Sequence, residues 1–427
     1  MAACGAANYF SSEGILPNVF EKNEWQGGHT ASWTTDGFTF DEGPHISFTK
    51  DERIQNLFAK NINEQYEIIH ARVNNYWQGH WIKHPAQCNL YGLPADLIVD
   101  VIRDFIDSDN NQPENMENYA EWLLASYGKT FAEKFPMQYG LKYHTVNAHQ
   151  MSTDWLGPRL YKPNIKEVLR GAIAKETPNV HYVSDFRYPS HGGFASYVTP
   201  FLHKGKINLS HELQNLDPNS KTLHFENGKV TPYDAVVSSI PLPELISRID
   251  SVPSKVTIAA HKLAVTSCVL VNLGLSRNEL STAHWTYFYD ADYTLSRLSC
   301  PHMLSPNNAP SGHGSFQAEV YFSKKYKPLD KSLGDITQAV ISDLRRCGLI
   351  RNNDDIVFSE ARHIEYANII FDHDRALAVE TIHGYLDEIG VQWCGRYGEW
   401  GYEWTDQAFK SGELAAEKAL LRLTSAA

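Results

Sequence analysis

The chain has 427 residues, 42% of them hydrophobic and 21% charged, and 38 Lys+Arg against 50 Asp+Glu leave a formal net charge of −12. That composition fits a globular protein of two or three domains with a large core and argues against disorder. The acidic balance repels phosphate backbones and no Lys/Arg-rich stretch offsets it, which argues against nucleic acid as a partner.

In chain order, Cys4 to Ser12 is rich in small residues and predicts a helix ending at Gly14, and Ile15 to Glu21 predicts a short buried strand whose last residue is acidic. Asn23 to His29 is a polar turn containing Gly27-Gly28. Helix, strand with a terminal acid and glycine pair together read as the second half of a dinucleotide-binding βαβ unit. The full fingerprint is G-x-G-x-x-G after a first strand, with an acidic residue about 20 positions later for the ribose hydroxyls. Counting back from Glu21, Gly5 takes the place of the third glycine, Ala2 that of the second, and the first falls before Met1. The first strand and its glycine turn are therefore expected to be missing, and with them the principal anion site for a pyrophosphate.

Pro94 to Ile106, Tyr119 to Phe135 and Ile165 to Ala174 have helical apolar spacing and predict an α-rich block between residues 56 and 180. A strand-rich stretch follows from Val180 to Ile240, with strands at Lys206 to Leu213, Thr222 to Phe225 and Ala235 to Ile240 and a hairpin signal at Asn227-Gly228. Residues 256 to 322 again predict strands, at Lys262 to Leu273, Trp285 to Tyr289 and Ser315 to Phe322. Helices are predicted over Leu333 to Arg346, Ala376 to Glu388 and Asp406 to Leu423, and Ser305 to Gly314 reads as an exposed loop. No internal repeat is visible.

Six widely spread cysteines without a C-x-x-C spacing argue against a zinc module or a disulfide framework and fit a reducing compartment. The nineteen histidines include no H-E-x-x-H or other compact ligand set, so no metal is expected. The most apolar long stretch, Leu263 to Leu275, contains Asn272 and Gly274 and is too short to span a bilayer. Met1 to Gly14 lacks the basic and apolar regions of a signal peptide, which makes the cytoplasm the expected location.

Val19 to Ser32 reads Val-Phe-Glu-Lys-Asn-Glu-Trp-Gln-Gly-Gly-His-Thr-Ala-Ser, which resembles the E-x5-G-G segment of the flavoprotein superfamily of amine oxidases, protoporphyrinogen oxidases, phytoene desaturases and UDP-galactopyranose mutases. The resemblance implies that Glu21 holds the adenosine ribose and that Gly27 and Gly28 let the backbone pass close to the cofactor. His29 stands where the family usually has Arg, which weakens one phosphate contact. Gly43-Pro44-His45 resembles the loop against the isoalloxazine, Tyr188-Pro189 with Gly192-Gly193 the family's Y-P-x-G-G segment leading into a helix, and Ile207 to Leu213 the strand that receives the adenine, with Leu213 where Val is common. Gly395-Arg396 followed by Asp406-Gln407 resembles the second flavin segment, in which a helix opening at Asp406 turns its N-terminus to the flavin.

These likenesses imply an α/β fold with a Rossmann-like FAD-binding domain, its first βαβ unit incomplete, and a discontinuous mixed α+β substrate domain. The expected division is 1–55, 180–245 and 360–427 for FAD, and 56–179 and 246–359 for substrate. A non-covalent FAD is implied, with attachment through Cys394 as the minor alternative. His45 is expected at the flavin as the catalytic residue, and Arg159 and Arg297 toward a substrate diphosphate, with interdomain ion pairs as their other reading. The substrate is a small molecule. An FAD-dependent oxidoreductase or mutase-like enzyme is expected, with a nucleotide-activated sugar of polysaccharide synthesis as one candidate substrate, and an amine or protoporphyrinogen oxidase and a flavin-deficient pseudoenzyme or scaffold as alternatives.

Overall fold

The computed structural model describes residues 1–157, 160–180 and 183–426. Helix α1 (Ala2–Ser12) is followed by strand β1 (Asn18–Phe20). That strand is shorter than Ile15 to Glu21 and only partly buried, because it has a neighbour on one edge alone; Leu16 is 67% exposed. Strands β2 (Ser32–Thr35) and β3 (Phe38–Asp41) form a hairpin that turns at Asp36-Gly37. Both turn residues have positive φ, as a two-residue hairpin loop of this hand requires.

Helix α2 (Glu52–Asn61), capped by the Asp51 carboxylate, leads to β4 (Tyr66–His70), β5 (Val73–Trp77) and β6 (His80–Lys83), which interrupt the predicted α-rich block at its start. The rest of the block holds: α3 (Ala95–Asn110), α4 (Tyr119–Tyr127), α5 (Lys129–Lys134), α6 (Pro136–His144) and α7 (Ile165–Ile173), the last opened by an Asn164–Glu167 capping box. The single helix predicted over Tyr119 to Phe135 is broken at Gly128, where φ is +73° and a Cβ would come within 2.4 Å of the Asp104 backbone. Close approach of α3 overrides the helical pattern there.

Strands β7 (Asp185–Pro189), β8 (Lys206–Asn208), β9 (Leu213–Asp217), β10 (Thr222–Phe225), β11 (Val230–Pro232) and β12 (Val236–Ser238) form the strand-rich stretch, and Asn227-Gly228 joins β10 to β11 in the predicted hairpin. Helices α8 (Leu242–Ser247) and α9 (Ser254–Lys262) follow. Residues 256 to 262 are thus helical rather than part of a strand-rich region, with Val256, Ala259 and Ala260 on one buried face. Next come β13 (Ser267–Leu275), β14 (Trp285–Phe288), β15 (Arg297–Ser299) and β16 (Gly314–Phe322). The segment Ser305 to Gly314 is not simply an exposed loop: Ser305 and Asn308 are buried, and Ser305 Oγ donates to the Ser190 carbonyl at 2.7 Å. The chain ends with α10 (Leu333–Arg346), β17 (Ile356–Ile364), α11 (Arg375–Glu388), β18 (Val391–Trp393), α12 (Gly395–Gly398) and α13 (Thr405–Ala426).

A seven-stranded sheet of order β17-β13-β16-β15-β14-β5-β6 is antiparallel except at β14-β5. β17 straddles residue 360 and so crosses the division expected between the two domains. Alternation sorts the side chains of this sheet. Val269, Val271 and Leu273 of β13 and Phe316, Ala318 and Val320 of β16 pack under Ile336, Val340 and Leu344 of α10. The opposite face carries Cys268, Leu270, Arg297, Glu319 and Tyr321 and turns to a cavity. Two small parallel pairs, β1-β8 and β12-β18, stand apart from that sheet. α1 and α13 pack together through glycine: a Cβ on Gly5 would lie 1.9 Å from the Phe409 carbonyl oxygen, and one on Gly412 1.9 Å from that of Ala2.

Candidate active site

The cavity has a volume of about 1490 Å³ and extends from α1, β1 and β12 to the inner face of the large sheet. That exceeds the roughly 300–1,000 Å³ of most small-molecule sites, leaving room for an extended molecule and a second ligand.

Glu21 lies where β1 ends, its Oε1 accepting from the backbone N and Nδ2 of Asn23 at 2.9 Å each. Gly27 and Gly28 follow at φ +101° and +53°, a conformation that keeps side chains out of the cavity wall. His29 Nδ1 pairs with Glu42 Oε1, and its ring meets Tyr397 edge-on. The Gly43-Pro44-His45 loop is pinned by a bond from Gly43 N to the Asp41 carbonyl. The Asp41 carboxylate, its pKa pushed up to about 6 by burial, accepts from Ser32 Oγ, Tyr188 Oη and Phe194 N, and so ties this loop to the Gly192-Gly193 turn. A 3-10 turn, Phe194–Tyr197, stands where a helix was predicted after those glycines.

Burial, with Gly43 opposing it and the nearby charges of His29, Arg396 and Arg297 adding to it, pushes the His45 pKa down to about 3. The imidazole is therefore neutral. Its Nδ1 lies 2.9 Å from the Gly43 carbonyl, which only accepts, so Nδ1 donates and Nε2 is left as an acceptor.

At the other end of the chain, Gly395 N donates to Ser411 Oγ at 3.0 Å, and Arg396 is clamped by bonds from Nε and Nη2 to the Glu403 carbonyl at 3.1 and 2.6 Å. The Glu403 side chain is different: its buried Oε2 has no hydrogen-bond partner, and burial reinforced by Glu399 pushes its pKa up to about 7. A carboxyl that holds its proton more tightly when folded costs stability as pH rises; the cost is absent below the ordinary carboxylate range and complete above about 7. Glu403→Gln is expected to melt above the parent at pH 8, by roughly 2–3 kcal/mol, and level with it near pH 4. Melting curves at the two pH values check this.

Other expected contacts fall differently. Asp406 and Gln407 do not line the cavity, although Trp404, Thr405 and Ala408 do. Asp406 accepts from Thr49 Oγ1, and Gln407 caps Trp404 N, so both position the first turn of α13. Leu213 lines the cavity, but its carbonyl is taken by Arg248. Gly5 serves the packing of α1 on α13. Arg159 lies outside the described residues. Arg297 does line the cavity, and it makes a bidentate bond to its cross-strand partner Glu319, with Nε and Nη2 at 2.9 and 2.7 Å from the two oxygens. Tyr321 Oη donates to the same carboxylate at 2.6 Å. Glu319, Glu403 and the tyrosines around Arg297 were missed in the sequence. A signal existed for Glu319: Gln317, Glu319 and Tyr321 alternate with four apolar residues in a strand buried on both faces, which is unusual for charge.

A family model for flavin-containing amine oxidoreductases matches residues 6–420. The chain belongs to that family. Among solved structures it is similar to a reduced UDP-galactopyranose mutase, at 23% identity and a TM-score of 0.92 over 98% of this chain and 93% of that one. A putative protoporphyrinogen oxidase from Exiguobacterium sp. 255-15 follows at 16% and 0.75, covering 99% and 96% of the two chains. A redesigned putrescine oxidase gives 13% and 0.66, covering 98% and 96%. These likenesses show the shared fold.

The cofactor of this flavoprotein is FAD, and the residues present fit it. Positive φ at Gly27, Gly28, Gly43 and Gly395 leaves bare backbone along the cavity, and the first-turn N–H groups of α1, which no side chain caps, border it at Ala2 and Ala3. The first turn of α1 thus stands where the helix half of a pyrophosphate site would be. Cys394 suits a non-covalent cofactor, because burial pushes its thiol up to about 12 and leaves it protonated. Among the described residues no helix is long and apolar enough to cross a membrane, and no cluster of ligating side chains suits a metal.

Proposed function

We propose that this flavoprotein acts on a nucleotide-activated sugar in mutase-type chemistry of polysaccharide synthesis. The observation that carries the reading is the chamber wall, where Arg297 sits among Tyr139, Tyr143, Tyr287, Tyr321 and Tyr402. Phenolic hydroxyls donate and accept, which matches sugar hydroxyls; their rings offer faces for a flat base, and a guanidinium binds diphosphate oxygens.

In this reading residues 1–55, 180–245 and 360–427 hold FAD, with Glu21 and Leu213 toward the adenosine and Arg396 toward the flavin side. Residues 56–179 and 246–359 hold the substrate, with Arg159 and Arg297 toward its diphosphate. Bound FAD supplies two-electron redox chemistry or, when reduced, a nucleophile. His45 stays neutral beside it and offers an acceptor at Nε2, and Tyr143 and Tyr402, bonded to each other at 2.6 Å, line the chamber. The test is turnover of UDP-sugars by the dithionite-reduced protein, set against amines and porphyrinogens under oxygen with peroxide as the readout. Sugar-ring isomerisation is the expected result. Oxidation of an amine or a porphyrinogen without UDP-sugar binding would overturn the proposal.

A further inference from the structure

The segment 400–404 leads from α12 into α13, and its backbone is held by side chains. Arg375 Nε donates to the Trp400 carbonyl at 2.7 Å, Arg396 takes the Glu403 carbonyl, and Gln407 Oε1 accepts from Trp404 N at 2.9 Å. These bonds present Glu403 from a fixed frame in the cavity wall. Neither oxygen of its carboxyl group has a hydrogen-bond partner among the described residues, and Oε2 is buried. Arg396, the cation that acts on it, supplies no bond: Nε and Nη2 are on the backbone carbonyl, and Nη1 lies 3.4 and 3.3 Å from the Ala367 carbonyl and Asn368 Oδ1.

Glu399 adds a second carboxyl to the same wall. The two side chains converge over Gly401, where an added Cβ would lie 3.7 Å from Glu399 Cβ and 3.9 Å from Glu403 Cγ. Glu399 is anchored: its Oε1 accepts from Ser411 Oγ at 2.9 Å, and that hydroxyl accepts from Gly395 N at 3.0 Å. The remaining charged and titratable groups around the pair are engaged or neutral. Asp406 and Lys410 of α13 are taken by Thr49 and Asp51, His29 beside Tyr397 is taken by Glu42, and the Cys394 thiol, which feels both carboxyls, is protonated. A buried polar group without a protein partner calls for an explanation, and in a ligand cavity the ligand supplies one.

We propose that Glu403 is a protonated contact for bound FAD: its carboxylic acid donates a hydrogen bond to an acceptor on the flavin half of the cofactor, and FAD binding to the ionised protein takes up one proton from solvent. The inference rests on the placement of FAD beside Gly395 and Arg396 given above, and is independent of what the substrate is. An acid suits this position because a carboxylate would face both Glu399 and the negative charge of the cofactor. Burial, reinforced by Glu399, already pushes the Glu403 pKa up to about 7, and the cofactor's charge acts in the same direction. FAD affinity is therefore level below about pH 7 and falls as pH rises above it, by up to about tenfold per pH unit until the carboxyl ionises in the complex as well.

The test is the Kd of FAD for the full-length protein freed of cofactor, read by flavin fluorescence from pH 6 to pH 8.5. In the parent, Kd is expected to rise at least about tenfold across that range. In Glu403→Gln, which keeps a donor and cannot ionise, it is expected to stay level and to agree with the parent near pH 6. Calorimetry of the parent at pH 8 in two buffers of different ionisation enthalpy reads the proton uptake without any variant. A level Kd in the parent, a slope that Glu403→Gln retains, or binding without proton uptake would each overturn the proposal. Hydrogen exchange separates such a failure from a different seat for the cofactor: protection of residues 395–404 by FAD with a level Kd overturns the proton contact alone, whereas no protection there overturns the placement with it.

Discussion

Glu319→Ala is expected to destabilise the fold by about 3–5 kcal/mol, because it leaves the Arg297 guanidinium in the interior without its counter-charge. Only 2% of the Glu319 side chain and 23% of the Arg297 side chain are exposed, and the pair is bidentate, so water does not compensate for the loss of either partner. Arg297→Ala is expected to cost a similar amount through the stranded carboxylate. The double variant is expected to recover much of the loss, since the penalty in each single variant is an unpaired buried charge rather than the worth of the pair. Urea unfolding of the three variants measures this, and strictly additive losses would contradict it. The pairing also sharpens the role proposed for Arg297. With Nε and Nη2 on Glu319, which fixes its plane, only the remaining edge of the guanidinium is left to meet a phosphate in the proposed role.

Gly5→Val is expected to be the second most damaging change, at about 3 kcal/mol or more, with loss of bound FAD. Even the first carbon of a side chain at Gly5 would overlap the Phe409 carbonyl at 1.9 Å, and both partners are helix backbone that cannot turn aside. α1 must then move off α13, taking with it its uncapped first turn, which borders the cavity at Ala2 and Ala3. Gly412→Val tests the same seam from the other helix, against the Ala2 carbonyl at 1.9 Å. Melting temperature and the flavin-to-protein absorbance ratio are the measurements; a Gly5→Val protein that melts normally and stays yellow would refute the argument.

Features that depend on neighbours in the chain were legible before the fold was known. Glu21 at the end of a strand, the glycine pair at residues 27 and 28, the Asn227-Gly228 hairpin and the three C-terminal helices are set by local spacing and turn chemistry. Features that depend on distant contacts were not. Gly128 breaks a helix because α3 crosses it, α9 forms where strands were expected because one face packs inward, and Ser305 to Gly314 is half-buried because Ser190 and Tyr188 receive its polar groups. The candidate site divides in the same way. Arg297 was visible as a residue, whereas its commitment to Glu319 depends on the register of two strands separated by a half-buried loop.

Strand β16 carries two independent specifications in nine residues. Its even positions hold the hydrocarbon packing under α10, and its odd positions supply Gln317, Glu319 and Tyr321 to the polar side. The polar face toward the cavity and the hydrophobic layer are thereby written on alternate letters of one segment. Varying residue 321, which lines the cavity, while sparing the ion pair at 319 changes the cavity wall and leaves the hydrophobic layer intact.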